Sequence, residues 1–375
     1  MEYSRLSEIY DFQYGKGNNN PDNGGIYPVY GSNGIIGGYD KYNNEDAPVI
    51  GHIGANAGSV VWANGKHFVT YNGVMCNIKN NVNKHYGYYA LLNANLKSLA
   101  DGSAQPFVSY SQLNRVLVYL PERDTQDRIA DILKTIDDLI DNNASRIRLL
   151  EQMSDNLYKE WFVRFRFPGY KDVEFENGIP KGWEIKKIVE IGEVVGGGTP
   201  STKESDYWNG NIPWLTPADL ASFNGVYISS GEKSITELGL EKSSAKIMPK
   251  NTVLLSSRAP IGYVALARNE MCTNQGFKSV VCDETKIMHQ YLFYFFKMNK
   301  SLLEGYGSGA TFLELSGSSL KRIKLLIPPM EIQKKFSLMV DNCFEQIYKL
   351  SLLNSNLTKQ RDLLLPRLMS GKLEV

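Results

Sequence analysis

The chain has 375 residues, 42% hydrophobic and 22% charged, a globular balance with room for about two to three domains. Disordered, collagenous and fibrous classes are excluded. Lys plus Arg total 41 against 40 Asp plus Glu, a formal charge of +1, so a basic surface for a polyanion has to be local.

The first predicted element is a mixed α/β globule over residues 1–121. Turn dipeptides at Asn23-Gly24, Asn33-Gly34, Asn64-Gly65 and Asn72-Gly73 separate short apolar runs, the punctuation of hairpins and curled sheets. A short helix is expected at 86–95. From Thr125 to Trp161 there is no Pro or Gly. Apolar residues recur at Ile129, Ile132, Leu133, Ile136, Leu139, Ile140, Ile147, Leu150, Met153, Leu157 and Trp161, in the steps of a helical stripe. Such a helix would be ~55 Å long. FRFPGYKDVEFENGIPKG, residues 165–182, reads as a linker from its Pro and Gly. A second globule of the same style covers 183–328, with a short helix at 289–300.

A second long helix is predicted over 331–365, striped by Ile332, Phe336, Met339, Val340, Cys343, Ile347, Leu350, Leu353, Leu357 and Leu364. Pro366 should end or kink it. Two helices of this kind pair as a coiled coil, with Asn143 and Gln346 as polar seam residues; the alternative is two ordinary surface helices on separate domains. The flanks are acidic at Asp124, Asp127, Asp131, Asp137, Asp138 and Asp141, and basic at Arg146, Arg148, Lys159, Arg164 and Arg166. They read as a solvated face, or as protein and phosphate contacts.

The chain is written twice. Pro121/Pro328, Gln126/Gln333, Ile129/Phe336, Ile136/Cys343, Leu150/Leu357 and Leu157/Leu364 all match at one offset, as do Ser109/Ser316, Leu113/Leu320 and Val116/Ile323 further upstream. AGSVV (57–61) resembles IGYVA (261–265), and RLSEIYDFQYGKG (5–17) resembles KIVEIGEVVGGG (187–198). A constant part and a variable part are each present in two copies, a pseudo-twofold repeat.

No motif of catalysis stands out. GGGTPSTK (196–203) has Thr202 where a phosphate loop needs Gly. It reads as a glycine turn approaching a ligand or DNA backbone, or as a plain tight turn. NIPW (211–214) resembles the catalytic loop of amino-methyltransferases, but Ile212 replaces a Pro and no cofactor turn lies a βαβ unit upstream. Trp214 is either core or a stacking surface for nucleic acid. Arg258, in SSRAPIG, offers a fork to a guanine edge or phosphate, or a salt bridge. The first copy has HIGANAG there, with Gly54 in its place. TNQG (273–276) and YNG (71–73) form another aligned pair, suited to adenine or to turns. Cys76, Cys272, Cys282 and Cys343 and His52, His67, His85 and His289 lack metal-ligand spacing. The cysteines read as reduced thiols. No apolar run approaches ~18 residues, so no membrane span is expected. MEYSRLSEIYDF lacks a signal-peptide pattern, and the expected location is cytoplasmic.

Taken together, GGGTPS, SSRAPIG with TNQGF, IPPMEIQKKF and its duplicate LPERDTQDRI, LYKEWFVRFRFPGY with IPKGWE, and the QRDLLLPRLMSGKLEV ending resemble the specificity (S) subunit of type I restriction–modification systems. The likeness runs over essentially the whole chain. It implies an α+β fold: two α/β target-recognition globules separated by two long conserved helices that pair antiparallel. Those domains would be 1–121 and 183–328, with helices in 122–165 and 329–375 and a linker at 166–182. It implies a non-catalytic subunit in which each globule reads half of a split, asymmetric double-stranded DNA site and the helices act as a ruler. Two modification (M) subunits would dock on the helices, and restriction (R) subunits would join through the complex. The chain would hold no cofactor; S-adenosylmethionine, ATP and Mg would belong to the partners.

The DNA-contacting candidates are Lys16, Asn33, His52, Asn56, Tyr71 and Asn72 in the first globule. In the second they are Thr199, Ser201, Lys203, Trp214, Thr216, Arg258, Asn274 and Gln275. Ile129, Ile136, Leu150, Leu157, Phe336, Ile347, Leu357 and Leu364 are the partner-binding candidates on the helices. The first globule departs from the pattern, with KGNNN (16–20) where the second has GGGTP, so contacts do not transfer between the two. The competing classes are a lone adenine methyltransferase, which would bind cofactor itself, and a protein-only coiled-coil adaptor, whose globules would not touch DNA.

Overall fold

Every strand must find partners for its backbone groups, and the short apolar runs of the first globule find theirs in one six-stranded sheet. Its order is Tyr10–Tyr14, Gly73–Ile78, Asn44–Gly51, Val60–Val69, Tyr27–Gly31 and Gly34–Tyr39. The pairings are antiparallel except that between Tyr27–Gly31 and Val60–Val69. In this computed structural model, residues 3–17, 21–79, 81–102, 105–258, 260–309 and 313–375 are described. Asn18 to Asn20 of KGNNN and Ala259 of SSRAPIG lie outside them.

The chain divides into Met1–Asn142 with Asn354–Val375, and Asn143–Leu353. The division falls inside both long helices, so each unit holds one globule and part of each helix. The second unit has a five-stranded sheet in the order Gly192–Gly196, Lys278–Cys282, Val253–Leu255, Val264–Ala267 and Tyr227–Ile228. A three-stranded sheet adds Lys233–Ile235, Trp208–Leu215 and Cys272–Thr273.

The long helices span Arg123–Tyr158 and Met330–Leu368. Asp124 and Glu331 lie in their first turns, where the helix dipole favours negative charge. The first closes in a π-turn, Lys159–Val163, which buries Trp161 and Phe162. Pro366 does not end the second helix, one of the two outcomes expected of it; the helix continues to Leu368. The proline sits in the last turn, where its missing N–H costs the single i→i−4 bond to the Asp362 carbonyl, and buried Leu368 and Met369 anchor that turn in the core of the first unit.

Within each unit the helices run antiparallel. In the first, Arg361 pairs with Asp137 at 2.9 Å while Asn354 donates to the Ile140 carbonyl at 3.0 Å. In the second, Tyr158 at one helix end packs on Phe336 near the other's start. The inward stripe of the last helix is Phe336, Val340, Phe344, Ile347 and Leu350. Met339 is exposed, as is Gln346, which therefore leaves the seam; Asn143 is buried on it.

Three of the partner-binding candidates, Ile129, Phe336 and Ile347, are buried in the intramolecular cores, with Ile136, Leu150, Leu157, Leu357 and Leu364 half-buried. The globules themselves cover the stripe, through the helices Lys84–Asn93 and His289–Met298. Among the apolar side chains that the helices leave in solvent are Leu149, Met153, Leu338 and Leu363. Residues 165–182 are not a bare tether either. Phe167 is buried against Trp183, centroids 5.4 Å apart, and Phe165, Tyr170, Val173 and Ile179 pack on the same core.

The duplication is visible bond by bond. Gln126 donates to the Pro121 carbonyl (2.8 Å) and accepts from Asn83 N–H (3.0 Å). Gln333 donates to the Pro328 carbonyl (2.8 Å) and accepts from Met288 N–H (2.9 Å). Each glutamine thus ties the start of a long helix to the N-cap of a globule helix. Tyr86 donates to the Tyr119 carbonyl as Tyr291 does to that of Leu326. Ser109 and Ser316 cap the helices Tyr110–Arg115 and Gly317–Arg322.

Candidate nucleic-acid interface

In each unit, one end of the sheets gathers turns that are far apart in sequence. The first turn follows the opening strand, Tyr10–Tyr14 or Gly192–Gly196. A Cβ on Gly15 would lie 2.1 Å from the Thr70 carbonyl oxygen, and one on Gly197 2.0 Å from that of Asn274. Glycine is required there by the protein's own backbone. Among the two readings of GGGTPSTK, the tight turn explains it.

At the first tip, all six candidates come together. The Asn72 carbonyl accepts from His52 N–H at 2.9 Å and from the Ser32 hydroxyl. Ser32 Oγ in turn accepts from Ile53 N–H at 3.2 Å. Asn56 Nδ2 donates to Asn33 Oδ1 at 2.7 Å. Tyr71 N–H reaches the Gly17 carbonyl at 3.3 Å, which brings the Lys16 turn alongside.

His52 is buried. Its Nδ1 lies 3.1 Å from the Tyr71 carbonyl, which can only accept, so that nitrogen carries the proton. Tyr14 stacks on the His52 ring at 4.2 Å and on Tyr110 at 3.8 Å, and Tyr71 meets His52 edge-on at 5.3 Å. Burial holds the His52 pKa below its ordinary value. His52 is therefore a neutral brace rather than a surface reader, because its ring faces are occupied. Tyr71, Asn33 and Lys16 are exposed, and Asn56 and Asn72 partly so.

At the second tip, Gly198 N–H donates to the Thr273 carbonyl at 2.9 Å and Thr199 Oγ1 bonds the Gln275 side chain. Asn274 N–H reaches the Leu215 carbonyl at 2.8 Å, beside Thr216, and Ser257 N–H reaches that of Gly276 at 2.7 Å. Asn274 Oδ1 is used in its own turn, accepting from Gly276 N–H at 2.9 Å. Thr216 N–H and Oγ1 both donate to Asp219 Oδ2 at 2.7 Å, closing a short helix start. Ser201 and Lys203 lie further out, where the Ser201 carbonyl accepts from the Trp208 indole at 3.1 Å.

Arg258 is half-exposed and pairs with Glu314, Nε to Oε2 3.1 Å; Lys278 approaches the same carboxylate at 3.7 Å. Trp214 is withdrawn from any stacking role: it is buried, its indole N–H donates to the Gly198 carbonyl at 2.8 Å, and Trp208 covers its ring edge-on at 5.0 Å. Its NIPW run is strand, with Pro213 opposite Ser234, not a catalytic loop.

The two tips match one residue away from the register their sequences suggest. Val108 N–H donates to the His52 carbonyl, and Leu315 N–H to that of Ser257. Ile53 bridges Phe107 as Arg258 bridges Glu314. The residue standing where Arg258 stands is therefore Ile53, not Gly54. By the same bonds Tyr71 matches Gln275 and Asn72 matches Gly276, since His52 N–H reaches Asn72 as Ser257 N–H reaches Gly276. Tyr14, Ser32, Tyr110, Lys278 and Glu314 carry these tips and were missed in the sequence. Only their pairing with partners distant in the sequence sets them apart.

Among the described residues no group of His, Cys, Asp and Glu could hold a metal ion. Burial pushes the Cys272 thiol up to about 12 and those of Cys76 and Cys282 higher still, which leaves them inert as nucleophiles. No described helix is long and apolar enough to cross a membrane.

The described residues form a duplicated α+β chain in which each unit gathers distant turns at one end of its sheets. The family model for the type I restriction modification DNA specificity domain matches residues 1–152 and 180–354, and the chain belongs to that family. It is similar to the type I restriction enzyme MjaIX specificity subunit of Methanocaldococcus jannaschii, 46% identical over 180 residues, 47% of this chain and 41% of that one. The HindI specificity subunit of Haemophilus influenzae is 24% identical over 330 residues, 72% of this chain and 71% of that one. The crystal structure of the type I S subunit from M. genitalium matches with a TM-score of 0.70 at 18% identity, covering 98% of this chain and 96% of that one; that likeness is one of fold. Membership makes this chain a non-catalytic DNA-specificity polypeptide.

Proposed function

We propose that the chain reads a bipartite, asymmetric site on double-stranded DNA, one half with each tip. The observation that carries this reading is equivalence without identity. The two tips are built by the same backbone bonds, yet Ile53 stands where Arg258 does and Tyr71 where Gln275 does. A guanidinium and a carboxamide are readers of base edges, whereas Ile and Tyr offer apolar and stacking contacts. The helix pair sets the unread spacer, because a stiff element fixes a separation that a flexible linker would not. Two modification subunits dock on the helices through the exposed Leu149, Met153, Leu338 and Leu363, and restriction subunits join through that complex. S-adenosylmethionine, ATP and Mg belong to those partners, and the assembly works in the cytoplasm. The proposed domain limits are 1–121, 122–165, 166–182, 183–328 and 329–375.

The test is methylation sequencing of genomic DNA from cells expressing this chain with a cognate modification subunit, in parallel with Arg258→Ala. The expected result is a split methylated motif that requires this chain, with degeneracy in one half only for the variant. An unchanged motif would remove Arg258 from the reader. Methylation without the modification subunit would overturn the non-catalytic reading.

A further inference from the structure

The duplication allows the two units to be compared position by position away from their tips, and one difference is a missing cation. In the second unit Arg268 is sandwiched between Tyr227 and Tyr348, its guanidinium carbon 5.1 and 4.7 Å from the ring centroids. Both terminal guanidinium nitrogens donate to the Glu345 carboxylate, Nη2 to Oε2 at 3.0 Å. This is a complete arginine seat, with aromatic faces and a bidentate acid.

In the first unit, Pro48 pairs with Trp62 and Ile50 with Val60, as Val253 pairs with Leu266 and Leu255 with Val264. Asn64 therefore occupies the position of Arg268. At the helix offset set by Gln126 and Gln333, Asp138 occupies that of Glu345 and Asp141 that of Tyr348. Instead of a filled seat there is a cavity of about 290 Å³, walled by Trp62, His85, Tyr88, Asp138 and Asp141 with Asn64 at its edge. Asp137 at its floor is taken by Arg361 and Tyr89. Asp138 carries Lys134 on one side, and Asp141 has no hydrogen-bond or ion-pair partner among the described residues. Five charged groups line the cavity, three carboxylates against two cations, so it retains a negative excess beside aromatic faces.

We infer that this cavity accepts an arginine side chain presented by another polypeptide, in the place its duplicate fills with Arg268. The occupant is a guanidinium, because the duplicate seats one. It comes from a polypeptide, as in the duplicate, where the guanidinium arrives on a side chain whose flanking groups are uncharged backbone amides. The inference does not depend on the DNA reading.

The full chain labelled with 5-fluorotryptophan tests it by 19F NMR, with the Trp62 signal identified from Trp62→Phe. The probes are N-acetylarginine methylamide, its lysine and citrulline counterparts, and free arginine. The blocked arginine should shift Trp62 saturably, and the uncharged citrulline should bind about fivefold or more weakly. Asp138→Asn with Asp141→Asn should weaken binding by a similar factor. Asn64→Arg, which restores the duplicate's own arginine, should abolish it and raise the melting temperature. The inference is overturned by the absence of a saturable shift, by equal binding of citrulline, or by full binding in Asn64→Arg. Tighter binding of free arginine than of the blocked form would overturn the polypeptide source.

Discussion

Gln126 and Gln333 show how much one side chain can fix. Each is buried and spends both ends of its amide on backbone groups that would otherwise be unpaired. Replacing Gln333 with Ala should cost about 1–3 kcal/mol in urea unfolding, because a buried N–H and a buried carbonyl lose their partner. Gln126→Ala should cost the same, and a variant at wild-type stability would show that water substitutes. The histidines make a second residue-scale case. Burial is the leading cause lowering the pKa of His52, His67, His85 and His289 below 6.5. Below that pH the unfolded chain binds more protons than the folded one, so stability should fall as pH drops from about 7 toward 5. The lowered carboxylates, such as Asp127 and Glu331, add the same sign only at lower pH. Urea midpoints between pH 8 and 5 check this; a flat profile would mean the histidines protonate without penalty.

Among the elements, the long helices were plain in the sequence, because an uninterrupted 3- and 4-residue stripe has few other interpretations. Which residues face inward was less plain. Periodicity alone admits Met339, Cys343 and Gln346 as well as Val340, Phe344 and Ile347; the packing of the His289–Met298 helix selects the latter set. Phe344→Ala should therefore destabilise by about 3–5 kcal/mol, the usual cost of truncating a buried Phe. Met339→Ala should stay within about 0.5 kcal/mol, as an exposed substitution does. A chemical melt of both variants compares them, and the reverse order would shift the stripe. Three of the partner-binding candidates, Ile129, Phe336 and Ile347, are covered by their own chain for the same reason. A helical stripe announces burial but not whether its own chain or another covers it.

For the molecule as a whole, net charge bears on binding strength. With a formal charge of +1, the isolated chain should bind duplex DNA weakly and with a shallow salt dependence. The log–log slope grows by about 0.9 per phosphate neutralised. It should steepen when a modification subunit is added, as fluorescence anisotropy at several salt concentrations would report. A steep slope from the chain alone would place the phosphate contacts on its own surface. The duplication, the two globule–helix modules and the family were legible in the sequence by itself, because register, stripe length and motif order are properties of the chain. The tip chemistry was not. That Trp214 is buried, that His52 is braced by Tyr14 and Tyr71, that Ile53 rather than Gly54 answers Arg258, and that one copy fills an arginine seat the other leaves open were decided by tertiary structure. Each depends on which distant turns converge, and that is settled by the sheets and the helices packed against them.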